Sequence, residues 1–332
     1  MASQDDFKAD PRIPIQQVHL LINNFSIPRE CLSLPPSSTQ LPYLLDTLQL
    51  CILGILTLLS TLSVALYVEE AFYLKKKVRC PVKRKSLLWS SGAPMVISVL
   101  TCFGLWIPRA ILFVDIAIGT YFATCFYFIL MVIIEGFGGK DALVKKMENT
   151  DVHINTGPCC CCCPCLPRIK LTKKKLNLFI LGVFQMSFLK PVFNFIGLVL
   201  WSDGIFNPDD LSARSIALWM NTMLGFCTVM ALWPIGILFR EAKIHLAEQN
   251  IGKKFAIFQI LLILTTVQNS IFNILANSGQ IPCVRPYAFK ARSQMMNNHL
   301  LIIETFLLAV LARFAYRKRD DEVGYTLKPL AV

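Results

Sequence analysis

Charged residues are scarce in this sequence. Asp, Glu, Lys and Arg make up 16% of its 332 residues and hydrophobic residues 55%, whereas about a quarter of a soluble domain is charged. This balance excludes an ordinary soluble protein, so we expect one membrane-embedded unit without a separate globular domain. The net charge of +12 comes from short basic clusters between apolar runs, which suits anionic lipid headgroups and gives no reason to expect nucleic acid.

Catalytic and nucleotide-binding patterns are also missing. The chain has only four histidines, and they are dispersed, which argues against an intramembrane zinc hydrolase. The stretch 135–140, EGFGGK, lacks the spacing of a phosphate-binding loop and follows a membrane helix instead of a strand. We therefore expect no enzyme, no resident cofactor and no metal, and any transport must run down a gradient or be coupled to an ion.

A cleavable signal peptide is not recognisable. The first forty residues are polar, contain prolines and carry acidic residues at Asp5, Asp6 and Asp10, unlike a basic start followed by an apolar core. The first membrane helix is therefore expected to target the chain. Residues 1–47 are predicted to form an N-terminal arm.

Seven apolar segments are long enough to cross a hydrocarbon core of about 30 Å. They predict an all-α membrane protein with a seven-helix domain over 48–316 and a tail over 317–332. The proline in Trp106–Arg109 predicts a tight hairpin between the second and third helices. The predicted spans are 48–74, 88–108, 112–136, 176–201, 215–239, 255–276 and 297–316.

Basic residues alternate between the connections and so predict an orientation. One set carries 24 of the 33 Lys and Arg residues, in 75–85, 140–175, 240–254 and from Arg313 onward, while the other set carries eight. Lys190 lies within a span. Since short cytoplasmic loops carry the excess of Lys and Arg, the N-terminus is predicted to be extracellular and the C-terminus cytoplasmic.

This orientation gives a meaning to three residues on the outer side. Asn24 begins the sequon Asn-Phe-Ser and is a candidate for glycosylation. Cys31 and Cys283 lie in the same oxidising compartment, where they either form a disulfide or remain two unpaired thiols.

A run of cysteines stands in the predicted cytosolic loop 137–175. Cytosolic cysteines beside a membrane span and a polybasic stretch favour S-acylation, because acyl chains can enter the bilayer while the cations hold its headgroups. Covalent palmitate is therefore expected. Zinc or copper is the alternative, although contiguous thiolates crowd one another around one tetrahedral ion. The cysteines are Cys159, Cys160, Cys161, Cys162, Cys163 and Cys165.

Polar residues within the spans are the second candidate for function, because an ionisable group at membrane depth needs a partner or a water-filled cavity. Lys190 lies near the middle of the fourth span, and Glu304 lies at a depth that suits an ion pair with it. A lone buried cation is a natural counter-charge for an anionic amphipathic solute. The amides have a plainer interpretation, as hydrogen bonds between helices. The residues assigned to a transport path are Lys190, Glu304, Asp115, Asn194 and Asn269.

Several strings resemble one family, the alpha subunit of the organic solute transporter. The most specific is the cysteine block GPCCCCCPC at 157–165. The resemblance covers most of the chain but is weakest in the N-terminal arm and the last residues. The other strings are CPVKR from Cys80, CFGLWIPR from Cys102, EGFGGK ending at Lys140, HLAEQNIGKKFAIFQ from His245, SIFNILANSGQI from Ser270 and ARSQMMNNHLLIIETFL from Ala291.

The resemblance implies a seven-helix subunit that works only with a beta subunit having one membrane span. It implies facilitated, bidirectional movement of bile acids, conjugated steroids and related amphipathic solutes across the basolateral plasma membrane. Assembly is then expected in the endoplasmic reticulum, among membrane lipids.

Two other functions fit the topology. A seven-helix ligand sensor shares the predicted orientation, but the receptor strings Asp/Glu-Arg-Tyr and Asn-Pro-x-x-Tyr are absent from the third and seventh spans. An acylated membrane scaffold would use the cysteine block but leaves Lys190 and Glu304 unexplained. The resemblance and the missing receptor strings favour a transporter.

Overall fold

The fold is a bundle of long helices. The computed structural model describes residues 34–148, 151–153, 168–206, 212–283 and 287–317. Most of this part of the chain is helical, as predicted for an all-α membrane protein. The helices are α1 (Leu41–Leu44), α2 (Thr47–Lys77), α3 (Pro81–Ser91), α4 (Ala93–Trp106), α5 (Ile111–Gly136), α6 (Lys140–Lys146), α7 (Lys173–Ser202), α8 (Ile216–His245), α9 (Ile251–Ile263), α10 (Asn269–Asn277) and α11 (Phe289–Tyr316).

The number of candidate membrane spans is six or seven. By length and apolar composition, six helical segments of the described chain can cross a membrane: α2, α5, α7, α8, α9 with α10, and α11. Helices α3 and α4 pass the same test together and are bent by 41° at their junction. Counted as one span, this pair gives the predicted seven.

Helix boundaries follow local chemistry. At the start of α2, the side chains of Asp46 and Gln49 form a reciprocal capping box, which satisfies backbone N–H groups that lack a helical partner. The same helix ends in Lys75–Lys77, where cations interact favourably with the helix dipole. The predicted hairpin at Trp106–Arg109 is confirmed, since α4 ends at Trp106 and a short 3₁₀ turn leads into α5.

The two ends of the bundle differ in charge, and we name them accordingly. The basic end carries the C-termini of α2, α5, α8 and α11 and the N-termini of α3, α7 and α9. The opposite end carries the N-termini of α2, α5, α8 and α11 and the C-termini of α4, α7 and α10. The basic end holds the predicted cytosolic clusters, including Lys75–Lys77 and Lys173–Lys175.

Helix α5 lies at the centre of the bundle. It packs against α3, α4, α7 and α8, and Ile129, Leu130, Ile133 and Ile134 near its C-terminus are fully shielded. Helices α7, α9 and α10 instead expose much of their apolar surface. The main core is therefore concentrated between the centre and the basic end.

A short sheet was not predicted. Strands β1 (Asp151–His153) and β2 (Arg168–Lys170) form an antiparallel pair, with Val152 opposite Ile169. Val152 is fully buried in the main core. Hydrophobic periodicity could not reveal strands of three residues, because the pairing depends on residues separated by the cysteine block.

Candidate functional site

An internal cavity of about 250 Å³ lies between the central helix α5 and helices α7, α8, α9–α10 and α11. Its wall is amphipathic. The apolar part is formed mainly by Ile118, Phe122, Phe126, Met186, Leu262 and Leu301. The polar part is formed by Asp115, Lys190, Thr228, Thr265, Thr266, Asn269, Gln294, Asn297 and Asn298.

Lys190 reaches the cavity from α7 across the face of α5. A Cβ atom added at Gly119 would lie 3.1 Å from the Lys190 Cε atom and 3.9 Å from its Nζ atom. The missing side chain of Gly119 therefore makes room for the end of the lysine. This contact places an ammonium group at membrane depth in the wall of the cavity.

Hydrogen bonds fix α7 to α5 on both sides of Lys190. One turn before it, Ser187 Oγ donates to the Ala123 carbonyl at 2.9 Å. One turn after it, Asn194 Nδ2 donates to Thr120 Oγ1 at 3.1 Å. Because both bonds join the same two helices, they hold the register that brings Lys190 opposite Gly119.

The five residues assigned to a transport path separate into three groups. Asp115, Lys190 and Asn269 line the cavity together. Asn194 lies beside it and joins α7 to α5. Glu304 is not among the lining residues.

The ion pair predicted between Lys190 and Glu304 is wrong. Lys190 projects from the wall formed by α5 and α7, whereas the Glu304 carboxyl group interacts with the side-chain amide of Gln268. Glu304 Oε2 is buried and has no hydrogen-bond partner within the described ranges. Lys190 and Glu304 lie at similar depths in the membrane, but their side chains face different parts of the bundle.

A π-helical turn, Leu264–Gln268, joins α9 to α10. Such turns widen a helix and are frequent at functional sites. The turn presents Thr265 and Thr266 to the cavity, and Gln268 Nε2 donates to Asn297 Oδ1 of α11 at 3.2 Å. The polar run from Thr265 to Asn269 within an apolar segment was its only signal in the sequence.

Aromatic rings form the floor of the cavity on the side of the basic end. Phe122 and Phe258 stack with ring centroids 4.9 Å apart, and Phe126 meets Phe258 edge to face at 5.1 Å. Phe126 and Phe258 are both buried. Beyond this floor α5 enters the main core, so the cavity does not continue to the basic end.

A charged contact joins two helices at the basic end. Glu69 Oε1 of α2 accepts hydrogen bonds from Arg313 Nη2 at 2.9 Å and from Arg317 Nη2 at 2.8 Å. All three side chains are partly exposed. The contact fixes the C-terminus of α11 against that of α2.

The other predicted sites fall largely on residues for which no structure is described. Asn24, Cys31 and the six cysteines of the block lie outside the described residues. Cys283 is described and is disulfide-bonded, but its pairing with Cys31 stays a prediction. The strands β1 and β2 flank the segment that contains the block and join its two ends at the base.

The bundle and its cavity define a class: a multi-pass membrane protein with an amphipathic internal cavity. Residues 52–321 match the family model described as Organic solute transporter Ostalpha. The chain therefore belongs to this family of solute transporters, and it is not an enzyme.

The similarity to curated relatives covers nearly the whole chain. This chain is 52% identical to the organic solute transporter subunit alpha of Homo sapiens over 96% of its own length and 94% of that protein. It is 50% identical to the Bos taurus protein of the same name, with the same two coverages. The Leucoraja erinaceus protein of that name is 47% identical over 92% of this chain and 87% of its own length. No solved structure matches.

Proposed function

We propose that this chain is the alpha subunit of a two-subunit facilitative transporter for bile acids, conjugated steroids and related anionic amphipathic solutes. Its partner is a beta subunit with one membrane span. The complex works in the basolateral plasma membrane after assembly in the endoplasmic reticulum. The relatives' names support a partner, because each is called a subunit alpha.

One observation carries the substrate class: Lys190 lies in a cavity whose wall also presents amide, hydroxyl and aromatic groups and one carboxylate, that of Asp115. A cation at membrane depth is costly unless it is paired or solvated, so an anionic group on a solute suits it. The rings of Phe122 and Phe126 suit the apolar body of the same solute. Neutral amides such as Asn269 and Asn297 suit hydroxyl groups.

The size of the cavity indicates how transport proceeds. Sites for drug-sized ligands measure roughly 300 to 1,000 Å³, and this cavity holds about 250 Å³. A steroid therefore requires the helices around the cavity to move apart. The π turn and the sparse packing of α10 favour movement on the side of the cavity formed by α9 and α10. The aromatic floor keeps the cavity closed toward the basic end.

The proposed orientation places the basic end in the cytosol, as the distribution of Lys and Arg predicts. The cysteine block then lies in the cytosol, and we propose that Cys159–Cys163 and Cys165 are S-acylated. Two features support this. Strands β1 and β2 hold the two ends of the loop against the bundle, and Lys173–Lys175 stand next to it.

Solute flux into vesicles tests the transporter against the sensor and the scaffold. The chain is reconstituted with a single-span beta subunit, without it, or with that subunit alone, and uptake of a sulfated steroid is measured. We expect flux only when both subunits are present. Flux through the chain alone would contradict the two-subunit assembly, and no flux in any preparation would contradict transport.

A further inference from the structure

A second cavity, of about 610 Å³, lies at the basic end between α2, α3 and α5. It shares no lining residue with the central cavity. Three of its lining residues are basic, namely Lys75, Arg84 and Lys85, and none is acidic. We name it the basic cavity.

The bend between α3 and α4 accounts for this space. Helix α4 packs against α2 and α11, whereas α3 packs mainly against α5. The change of neighbour occurs at Gly92, where an added Cβ atom would lie 3.0 Å from the ring of Tyr67. The bend therefore leaves a gap between α2 and α3 that opens toward the basic end.

The electrostatics at the mouth of the basic cavity favour an anion. Lys75 lies in the last turn of α2, where a cation is favourable, but Arg84 and Lys85 lie near the N-terminus of α3. Helix N-termini attract anions and disfavour cations. Arg84, Lys85 and the start of α3 therefore repel one another unless a negative group lies between them.

In the described residues, no acidic side chain supplies the negative group that the three cations of the basic cavity require. Lys75 and Arg84 form no ion pair there, and Lys85 Nζ lies 5.9 Å from the centroid of the Phe128 ring. Glu69, on the same helix as Lys75, is bound by Arg313 and Arg317. The three cations remain available to a ligand.

The deeper wall of the basic cavity is apolar and ordered. Trp89 stacks on Tyr121 and on Phe128, with ring centroids 5.3 and 5.1 Å apart. Tyr121 Oη donates to the Trp89 carbonyl at 2.8 Å, and Tyr67 Oη donates to the Leu88 carbonyl at 3.2 Å. Because both hydroxyls are bound to the backbone, their rings are the surfaces that an incoming group would meet.

The spacing of these two parts matches one ligand chemistry. Tyr67 and Lys75 are eight residues apart on α2, which is about 12 Å along the helix at about 1.5 Å per residue. A ligand that fills the cavity would thus carry a negative head at the membrane surface and an apolar body reaching inward. This is the shape of an anionic amphiphile.

We propose that the basic cavity binds an anionic amphiphile, with its phosphate, sulfate or carboxylate group held by Lys75, Arg84 and Lys85. Its apolar body lies against Tyr67, Trp89 and Tyr121. Two sources share this chemistry, an acidic phospholipid of the adjoining leaflet and an anionic solute. The binding site is separate from the central cavity and does not depend on the proposed transport activity.

Photolabelling of the full chain, reconstituted with its partner subunit, tests this site. The probes are photoreactive phosphatidylserine and photoreactive phosphatidylcholine in phosphatidylcholine vesicles, and labelled peptides are identified by mass spectrometry. We expect phosphatidylserine to label the peptide containing Trp89 roughly 100-fold more than phosphatidylcholine, since each of the three basic residues contributes roughly a five-fold preference. Equal labelling by the two lipids would overturn the proposal.

Two kinds of variant distinguish binding in the basic cavity from a general attraction of anionic lipid to the basic end. The triple variant Lys75→Gln, Arg84→Gln, Lys85→Gln should lose the preference. The control Lys76→Gln, Lys173→Gln, Lys174→Gln removes the same charge from exposed positions at the same end and should keep it. Ala71→Trp places a large ring in the cavity without changing any charge and should also lower labelling sharply. Equal loss in the control, or full labelling of the Ala71→Trp variant, would overturn the proposal.

Competition distinguishes the two sources. Excess sulfated steroid is added before illumination of the wild-type complex. Loss of phosphatidylserine labelling at Trp89 identifies a site that also accepts the solute, and unchanged labelling identifies a lipid site. Because labelling requires no flux, a complex that fails to transport can still be scored for this site.

Discussion

Gly119 of α5 leaves the space that the end of the Lys190 side chain occupies, so a glycine on one helix sets the position of a cation on another. This relationship connects the packing of α5 and α7 to the charge in the central cavity. The Ser187 and Asn194 hydrogen bonds hold the two helices at that register. The packing of α5 against α7 therefore fixes the position of Lys190 in the cavity wall.

Replacing Gly119 with Leu should abolish most anion flux while the lysine stays in place. The larger side chain would occupy the cavity and push the ammonium group aside, since even a Cβ atom lies 3.1 Å from Lys190 Cε. The measurement is uptake of a sulfated steroid at equal surface expression. Gly225→Leu on α8, where nothing lies within 4 Å of the added Cβ, is the matched control and should transport normally. Normal flux through the Gly119→Leu variant would contradict a substrate path at Lys190.

Removing the Asn194 amide should lower the stability of the bundle. Asn194→Leu loses the hydrogen bonds to Thr120 and to the Ile116 carbonyl, and such bonds between membrane helices contribute about 0.6 kcal/mol on average. The melting temperature in detergent should fall by a small but measurable amount. Asn221→Leu, at an exposed position on α8, serves as the control. An equal shift of the melting temperature in both variants would contradict a stabilising role for the Asn194 hydrogen bonds.

The aromatic floor should be sensitive to truncation. Phe258 is 3% exposed and contacts both Phe122 and Phe126, whereas Phe314 on α11 is 69% exposed. Lipid is as apolar as the core, so the loss comes from packing and not from transfer out of water. Phe258→Ala should therefore lower the melting temperature more than Phe314→Ala. Equal effects would mean that the floor is loosely packed.

Tyr287, which precedes α11, should make the chain sensitive to alkali. Burial raises the pKa of Tyr287 from 10.0 to about 12. Since the unfolded chain ionises near 10, the stabilising contribution is present below pH 10 and is lost as the pH rises to 12. Thermal melts between pH 9 and 12 should show a steep loss of stability that is reduced in Tyr287→Phe. Tyr43→Phe, which changes a 91% exposed side chain, should leave the profile unchanged.

Hydroxylamine-sensitive acyl exchange should detect acyl groups on the cysteine block. Replacing Cys159–Cys163 and Cys165 with Ser should remove the signal, because thioesters form on cytosolic thiols beside a membrane. Cys51→Ser, at an exposed position near the opposite end, should leave the signal intact. Absence of signal from the wild type would contradict acylation.

The sequence predicted the spans because hydropathy and loop charge depend on residues that are close in the chain. It also singled out Lys190, since a lone cation within an apolar segment is visible without a structure. Gly119 gave no signal, because its importance comes from a side chain 71 positions away. The pairing of Lys190 with Glu304 failed for a related reason: depth can be counted along a helix, but the wall that a side chain faces depends on packing.

The π turn illustrates the same limit. Its polar residues were visible in the sequence, and Asn269 was assigned to the path. The wider helix that presents Thr265 and Thr266 to the cavity was not predicted, because no proline or glycine stands there.

The most direct test of Lys190 as the counter-charge compares uptake of anionic and neutral solutes by the Lys190→Met variant. With the partner subunit present, uptake of a sulfated steroid and of an uncharged steroid is measured for wild type, Lys190→Met, Lys190→Arg and the exposed control Lys174→Met. We expect Lys190→Met to lower anion uptake by about 10-fold, corresponding to about 1.4 kcal/mol. Uptake of the neutral steroid by this variant, and uptake of both steroids by Lys190→Arg and by the control, should remain near wild type. Equal loss of anionic and neutral uptake in Lys190→Met would contradict the role of Lys190 as the counter-charge.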